Sequence, residues 1–405
     1  MNRICQSVTG SASRAVPALQ SSKRPCIIDL FAGVGGLSLG AARAGFEIRL
    51  AVELDKHAAK AHKRNFPNIR HLETDILALS GDALLAAAGV PEGTLDGLVG
   101  GPPCQGFSSM GKRETTDPRN QLFVKFFELV EQCQPKFFVV ENVPGIMAKP
   151  HAGIRKQAFA HLCEDYTTLP AMHLKASDFG AATSRERVFF VGYRPKCLAP
   201  LGIADFLAKQ VRHKTKVRAA LAGLPGRISP DWLDEAQGWR KVKPLGDSAY
   251  ARSIAGRVPN GVGDPEALRL YQELAWVSGC LGTQHNKTVQ NRYAALRPGE
   301  KDEISKAVRL DRNSFCPTLR AGTGADRGSY QAVRPIHPTN PRVITPREAA
   351  RLQGFPDWFQ FAPSKWHSFR QIGNSVSPLV AEAIFTVFAE KLSLVKCLPE
   401  KPQAG

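Results

Sequence analysis

A buried strand, a glycine-rich turn and a helix follow one another early in the chain, and this order constrains the fold most strongly. The strand is residues 25–31, the turn contains Gly33, Gly35 and Gly36, and the helix is residues 37–44. The next apolar strand ends at Glu53. A strand, turn, helix and strand in this order predict an α/β fold with a parallel sheet, which binds ligands at the carboxyl ends of its strands.

A turn rich in proline and glycine presents Cys104 directly after another apolar strand, residues 95–99. The turn reads Gly-Gly-Pro-Pro-Cys-Gln-Gly over residues 100–106. The prolines fix the backbone, and the glycines let it pass close to a ligand. A free cysteine is usually a small buried hydrophobic residue. The alternative is a nucleophile presented at the edge of the sheet.

A carboxylate and two arginines are predicted near that cysteine. Residues 137–140 form an apolar strand that ends at Glu141, and this places its carboxylate at the same sheet edge. Arg185 and Arg187 precede the apolar strand 188–192 and alternate onto one face of it. Such a pair is often a solvated edge, but here it can project into the cleft that holds Cys104 and Glu141.

Charge and cysteine content narrow the class of protein. The chain has 54 Lys and Arg against 36 Asp and Glu, a net charge of +18, which favours a polyanionic partner. Residues 201–345 contain 23 basic and 13 acidic residues. The nine cysteines lack any C-x-x-C pair, which indicates a reducing compartment and no metal site. No apolar run approaches the roughly 18 residues of a membrane span, so no membrane partner is expected.

Six segments, in the same order along residues 25–394, resemble the motifs of the DNA (cytosine-5)-methyltransferases, in their prokaryotic form. These are Asp-Leu-Phe-Ala-Gly-x-Gly-Gly at 29–36, Pro-Cys-Gln at 103–105, Glu-Asn-Val at 141–143, Arg-x-Arg at 185–187, Thr-Pro-Arg-Glu at 345–348 and the final motif at 371–378. The resemblance implies methylation of carbon 5 of a flipped-out cytosine in a specific duplex DNA sequence, through a covalent bond from Cys104 to carbon 6.

The resemblance also implies a role for each matching residue. The catalytic residues would be Cys104, Glu141, Arg185 and Arg187. The cofactor would be S-adenosylmethionine, leaving as S-adenosylhomocysteine, and its contacts would be Phe31, Gly33, Gly35, Glu53, Asp75, Ile76, Pro102, Leu122, Asn374 and Ser375. The residues predicted to contact double-stranded DNA are Lys112, Arg113, Arg320, Arg327 and Arg347.

The glycine turn agrees with that cofactor, because Ser38 replaces the third glycine of the dinucleotide pattern and S-adenosylmethionine has no pyrophosphate. Two residues keep an alternative interpretation. Asp75 by itself would be an ordinary helix N-cap. The glycine-rich segment that begins at Arg320 is either a base-reading loop or a plain surface loop.

The implied architecture is a Rossmann-like methyltransferase domain with a smaller, irregular target-recognition domain. The predicted boundaries are a disordered basic tail at 1–24, a catalytic domain at 25–194, the recognition domain at 195–342, a return to the catalytic domain at 343–395 and a tail at 396–405. We expect a monomer in the cytoplasm, associated with the nucleoid, either paired with a restriction endonuclease for the same site or acting alone.

Three other functions deserve comparison. A transfer-RNA cytosine-5 methyltransferase would share the fold, but the basic second domain of about 150 residues suits duplex reading. A regulator that binds DNA without catalysis would have no need of Cys104, Glu141 and Arg187. A flavin or nicotinamide oxidoreductase is favoured least, because the glycines that bind pyrophosphate are incomplete.

Overall fold

The computed structural model describes residues 24–103, 120–227, 238–243, 246–255, 258–321 and 333–396. Within them, eight strands form one central sheet. The strands are β1 Cys26–Leu30, β2 Glu47–Val52, β3 Arg70–Leu72, β4 Gly97–Gly100, β5 Phe137–Asn142, β6 Thr167–Thr168, β7 Met172–Lys175 and β8 Glu186–Tyr193. Their order is β3-β2-β1-β4-β5-β8-β6, and β7 also pairs with β8. Strands β1 to β5 are parallel, whereas β8 is antiparallel to its neighbours, so the predicted α/β class is confirmed.

Thirteen α-helices lie in the described part of the chain. They are α1 Gly36–Arg43, α2 Lys56–Asn65, α3 Gly81–Ala88, α4 Asn120–Cys133, α5 Ala152–Phe159, α6 Ile203–Leu207, α7 Val217–Ala220, α8 Ala249–Ala255, α9 Pro265–Leu274, α10 Lys287–Ala295, α11 Pro346–Gln353, α12 Lys365–Asn374 and α13 Pro378–Lys396. A two-stranded sheet of β9 Arg240–Lys241 and β10 Trp276–Val277 is separate from the central sheet.

Helices cover both faces of the central sheet. Successive strand residues point to opposite sides, so each strand contributes apolar side chains to both faces. Ile27, Val99 and Val139 pack in one buried cluster together with residues of α1 and α13. Their neighbours in sequence pack in a second cluster with α3 and α4. Both faces of the strands are therefore mainly apolar, and Asp29 within β1 is a buried exception.

Helices α1 and α13 approach each other closely at Gly40. A Cβ atom at Gly40 would lie 2.3 Å from the Cβ of Ala381, so only glycine allows this contact. Residues 365–394 are long and apolar enough to cross a membrane by length and hydropathy, but 72% of their most apolar window is buried inside the protein. This apolar character is explained by the packing of α13 against α1 and the sheet.

The polypeptide between residues 195 and 342 is built from short elements, as the proline and glycine pattern predicts. Its helices α6 to α10 have ten residues or fewer, and two small apolar clusters support them. Some of its side chains, including Leu310 and Leu319, instead join the large cluster beneath α13. The proposed boundary of a recognition domain stays a prediction.

Helix α11 confirms the capping box expected at Thr345. The Thr345 hydroxyl accepts from the Glu348 backbone N–H at 3.2 Å, and Glu348 Oε2 accepts from the Thr345 N–H at 2.7 Å. Gly354 ends the helix with a φ of 90°. The final motif does more than introduce one last helix, because it spans the end of α12, the turn and the start of α13.

Candidate active site

A cleft of about 460 Å³ opens at the carboxyl ends of β1 and β4. The strand order reverses between these two strands, because β2 and β3 lie on one side and β5 on the other. Ligands bind at such a switch point in open α/β sheets, since the adjacent loops diverge there. The fold alone therefore places a ligand site where the sequence places its cofactor loop and Glu141.

The loop after β1 is held in an uncommon conformation. Phe31, Gly33 and Gly35 all have positive φ angles, of 57°, 57° and 101°. The Gly33 N–H donates to Glu53 Oε2, and the Asp55 N–H donates to Glu53 Oε1, each at 2.8 Å. Glu53 is thereby fixed by two backbone donors, while burial raises the pKa of its carboxyl group.

The predicted cofactor residues mostly lie around this cleft. Its lining includes Phe31, Gly33, Glu53, Asp75, Ile76, Pro102, Leu122, Asn374 and Ser375. Gly35 is absent from the lining and faces the core, where a Cβ would lie 2.5 Å from the Phe66 ring. Asp75 also fulfils the alternative interpretation, because it accepts from the Leu77 N–H at 3.0 Å and caps a short 3₁₀ helix. Its position at the cleft and its capping role are compatible.

Glu141 and Arg187 form an ion pair on the wall of the cleft. Arg187 Nε lies 2.8 Å from Glu141 Oε1, and both side chains are largely buried. The N–H is not aligned for a hydrogen bond, so within the described part of the chain Oε1 has no aligned donor. Gly101 passes so close that a Cβ there would lie 3.0 Å from Glu141 Oε2. Glu141 thus lines the cleft, with its Oε1 fully covered beside Arg187.

The backbone after β4 runs along the same wall. Asn142 Nδ2 donates to the Pro102 carbonyl at 3.3 Å, and both Pro102 and Pro103 line the cleft. This described stretch ends at Pro103, and the next residue in the sequence is the predicted nucleophile, Cys104. Four predicted residues lie outside the described residues: Cys104, Lys112, Arg113 and Arg327.

Arg185 also reaches the cleft lining, but its hydrogen bonds connect distant parts of the chain. It is 2% exposed, and its Nη1 donates to the Gly373 carbonyl at 2.8 Å and to the Leu319 carbonyl at 3.3 Å. The segment that contains Arg320 passes directly over α12, because a Cβ on Gly373 would lie 2.7 Å from its backbone. Arg320 is exposed and lies one residue after the segment that Arg185 holds.

Arg347 has surroundings that argue against the predicted contact with DNA. It is fully buried, and its guanidinium donates to the carbonyls of Ser278, Pro356 and Phe359. A donor group used in this way inside the protein cannot reach a phosphate without unfolding its surroundings. Arg347 instead joins α11 to the segment after β10.

Helix α12 supplies cleft residues that the sequence reasoning missed. His367, Arg370 and Gln371 line the cleft on the same helical face as Asn374. Gln371 Nε2 donates to the His57 carbonyl at 3.0 Å, and the rings of His57 and His367 stack at 3.6 Å. The spacing of these residues before Asn374, by three, four and seven positions, is the signal that could have identified this face.

The fold and the cleft place the chain among α/β proteins with a ligand cleft at the switch point of the sheet. Comparison of the sequence with known families gives a match to the C-5 cytosine-specific DNA methylases over residues 26–390. The chain belongs to this family and is a DNA (cytosine-5)-methyltransferase.

Individual relatives agree with this assignment. The type II methyltransferase M.XorII of Xanthomonas oryzae pv. oryzae is 40% identical over 94% of this chain and 87% of its own length. M.DdeI of Desulfomicrobium norvegicum is 33% identical over 91% of this chain and 88% of its own length. A crystal structure described as a prophage-encoded DNA modification methyltransferase of E. coli is 46% identical, with a TM-score of 0.82 over 91% of this chain and 99% of its own.

A more distant structure shares the fold alone. The Dnmt2 methyltransferase of S. pombe is 16% identical, with a TM-score of 0.57 over 91% of this chain and 99% of its own.

Proposed function

We propose that this enzyme transfers a methyl group from S-adenosylmethionine to carbon 5 of cytosine within a specific duplex DNA sequence. The observation that carries the proposal is the Glu141 carboxylate, which lines the cleft and is paired with Arg187 at 2.8 Å. A carboxyl group in that place can accept from the exocyclic amino group of a cytosine and, when protonated, donate to N3. Pro103, which precedes Cys104, lines the same cleft.

The cleft residues fit S-adenosylmethionine. Each Glu53 oxygen accepts one backbone N–H and keeps capacity for a second donor, as two ribose hydroxyls require. Ile76 and Leu122 supply apolar surface for an adenine ring, and Asn374 supplies an amide to the same cleft. A volume of about 460 Å³ lies within the roughly 300–1,000 Å³ usual for small-molecule sites. When bound, S-adenosylmethionine supplies a methyl group on a sulfonium, which carbon 5 can accept.

The protein's part in the chemistry is to make carbon 5 nucleophilic. The Cys104 thiolate forms a bond to carbon 6, the electron pair of the 5,6 double bond forms a 4,5 double bond, and the 3,4 electron pair moves to N3, which takes a proton to give a neutral enamine. Glu141 accepts from the amino group and delivers the proton to N3 as the ring gains negative charge, and Arg187 fixes the position of the Glu141 side chain. After methylation a base removes the carbon 5 proton, and the thiolate leaves carbon 6.

The burial of Glu141 supports a reaction in which the cytosine leaves the helix. Glu141 is 7% exposed and lies at the end of a central strand, where a base inside an intact duplex cannot reach. The target must therefore be flipped into the cleft. The net charge of +18 favours the association, because phosphate contacts supply most of the affinity for DNA.

Recognition of the target is proposed for the segment that starts at Arg320. Arg185 donates to the carbonyl of Leu319, the residue just before this segment, and to the carbonyl of Gly373 at the end of α12. The start of the segment therefore lies against α12 close to the cleft, and Arg320 is exposed there. A guanidinium in that place can donate two hydrogen bonds to guanine O6 and N7. Arg185 would then act by holding the reading segment against the catalytic part.

Replacing Arg320 by alanine is expected to relax the choice of target and weaken specific binding by about 1–3 kcal/mol, the value of one bidentate base contact. Comparing methylation of the cognate duplex with duplexes that carry single base changes would test this. The matched control is Arg312→Ala, which removes another exposed arginine of the same region. If Arg320→Ala and Arg312→Ala discriminated equally well between the cognate duplex and the altered duplexes, base reading would be assigned to other residues.

The related type II methyltransferases suggest the setting. We propose a monomer that acts on nucleoid DNA in the cytoplasm, alone or with a restriction endonuclease for the same site. A transfer-RNA substrate is favoured less, because the Dnmt2 likeness at 16% identity concerns the fold only.

Bisulfite sequencing tests the proposed reaction most directly. The protein should be expressed in a host without other cytosine methylation, and protected cytosines should appear at one position of one recurring sequence. Glu141→Gln in the same host serves as the inactive comparison. Unprotected DNA together with methylated RNA would select the transfer-RNA alternative, and protection scattered without a common sequence would contradict sequence specificity.

A further inference from the structure

Four polar side chains form a row beneath the cofactor loop, and none of these four lines the cleft. Ser38 Oγ lies 2.6 Å from Asp29 Oδ2, His62 Nε2 lies 3.1 Å from Ser38 Oγ, and His62 Nδ1 lies 2.9 Å from His71 Nε2. The row ends where His71 Nδ1 meets the Ile69 carbonyl at 3.1 Å. Asp29, Ser38 and His62 are fully buried, and His71 is partly buried. A polar row in a core is stable only when each link is made.

The last link decides where the protons are. The Ile69 carbonyl can only accept, so His71 Nδ1 carries a proton. If His71 is neutral, its Nε2 accepts from His62 Nδ1, and His62 Nε2 accepts from the Ser38 hydroxyl. Ser38 Oγ is then left to accept, so Asp29 must be protonated and donate to it. All links are made with four neutral side chains.

A second arrangement contains the same number of protons. Asp29 is then a carboxylate, Ser38 donates to it, His62 donates from Nε2, and His71 is an imidazolium. This places opposite charges at the two ends of a buried row, which costs more than the neutral form. Burial, with a smaller contribution from the nearby Glu53 charge, raises the pKa of Asp29 to about 7, although the hydrogen bonds from Ser38 act in the opposite direction. Burial also lowers the pKa of His62 and of His71, with Lys63 adding to the effect on His71.

The row connects the two sides of the cofactor loop. Asp29 lies in β1 and Ser38 in the first turn of α1, so their bond closes residues 31–35 from beneath. That loop contains the non-glycine Phe31 with a φ of 57°, a conformation that the surroundings must enforce. Loss of one proton from the row breaks one link and places a charge near Glu53.

We propose that Asp29, Ser38, His62 and His71 form a neutral proton relay that positions the loop of residues 31–35 and protects the charge of Glu53. They are positioning residues for the cofactor, and the proposal rests on the S-adenosylmethionine site proposed above. Ionisation of Asp29 weakens cofactor binding, so affinity falls as the pH rises above about 7.

Asp29→Asn is the decisive variant, because its amide can donate to Ser38 as the protonated acid does but cannot ionise. Calorimetry with S-adenosylhomocysteine should show that wild-type affinity falls roughly tenfold between pH 6 and 9, a usual size for coupling between sites. Asp29→Asn should keep the tight value throughout, and Ser38→Ala should bind weakly at every pH. A wild-type slope that persists in Asp29→Asn overturns the relay.

Nitrogen NMR of the histidine rings in the cofactor-free protein gives an independent readout. At pH 6 the relay requires a proton on His62 Nδ1 and none on His62 Nε2, and a protonated His62 Nε2 would contradict it. His161→Gln, a replacement at a partly buried histidine outside the relay, should leave both the tautomer and the affinity profile unchanged. Absence of S-adenosylhomocysteine binding at all pH values would refute the cofactor proposal, while the tautomer measurement would still decide the relay.

Discussion

Cys104→Ser is expected to abolish methyl transfer, with a loss on the order of 10³-fold or more, because a neutral hydroxyl is a far weaker nucleophile than a thiolate. Cofactor affinity should change little, since Gly33, Glu53 and Asp75 come from the loops after β1, β2 and β3. Turnover with a radiolabelled methyl donor and calorimetry with S-adenosylhomocysteine would separate the two effects.

The matched control for this substitution is Cys197→Ser. Cys197 is a free, partly buried thiol between β8 and α6, outside the cleft lining. The same exchange of sulfur for oxygen there should leave turnover close to that of the wild-type enzyme. If Cys104→Ser retained near wild-type turnover, Cys104 would not be the attacking group.

Much of the fold was predictable because each segment has one strong local signal. Helix α2 spans residues 56–65, and helix α4 spans residues 120–133. In both helices the apolar residues recur every three or four positions, which places them on one face that can be buried. The strands that end at Glu53 and Glu141 were predictable for a similar reason, since an acid that directly follows a buried run can only stand at its end.

The parts of the site that were not predicted depend on contacts between distant segments. Nothing local in the sequence shows that Arg185 would hold the carbonyls of Leu319 and Gly373, or that Arg347 would be enclosed by backbone acceptors. The contact of Asp29 with Ser38 and the histidines beyond it likewise arises only when β1, α1, α2 and β3 pack together. Motifs indicate which residues matter, whereas packing decides what each of them contacts.

The distinction matters most for the two arginines of the Arg-x-Arg motif. Strand alternation correctly predicts that both reach one face, and both line the cleft. Arg187 pairs with Glu141 at 2.8 Å, while Arg185 bonds backbone carbonyls. The geometry therefore supports different roles for them, one close to the reacting base and one in holding the recognition segment in place.

Glu141→Gln is expected to slow methylation by about 10²-fold or more, the scale of removing one positioned acid–base group. Glutamine keeps the size and one acceptor, but it cannot deliver a proton to N3 as the ring gains negative charge, and its amide presents donors towards the cytosine amino group. It also leaves Arg187 without its charged partner in a largely buried place. Duplex affinity should change far less, because phosphate contacts supply most of it.

The matched control is Glu186→Gln, the same exchange on the neighbouring residue of Arg187, where the carboxylate pairs with His173 in a largely exposed position. A duplex with 5-fluorocytosine at the target gives the sharpest comparison, because fluorine cannot leave as a cation and the methylated adduct remains bound to the enzyme. Wild type and Glu186→Gln should form this adduct at similar rates on a denaturing gel, and Glu141→Gln should form it much more slowly. Adduct formation by Glu141→Gln at the wild-type rate would mean that Glu141 does not activate the base and serves only to terminate β5 beside Arg187.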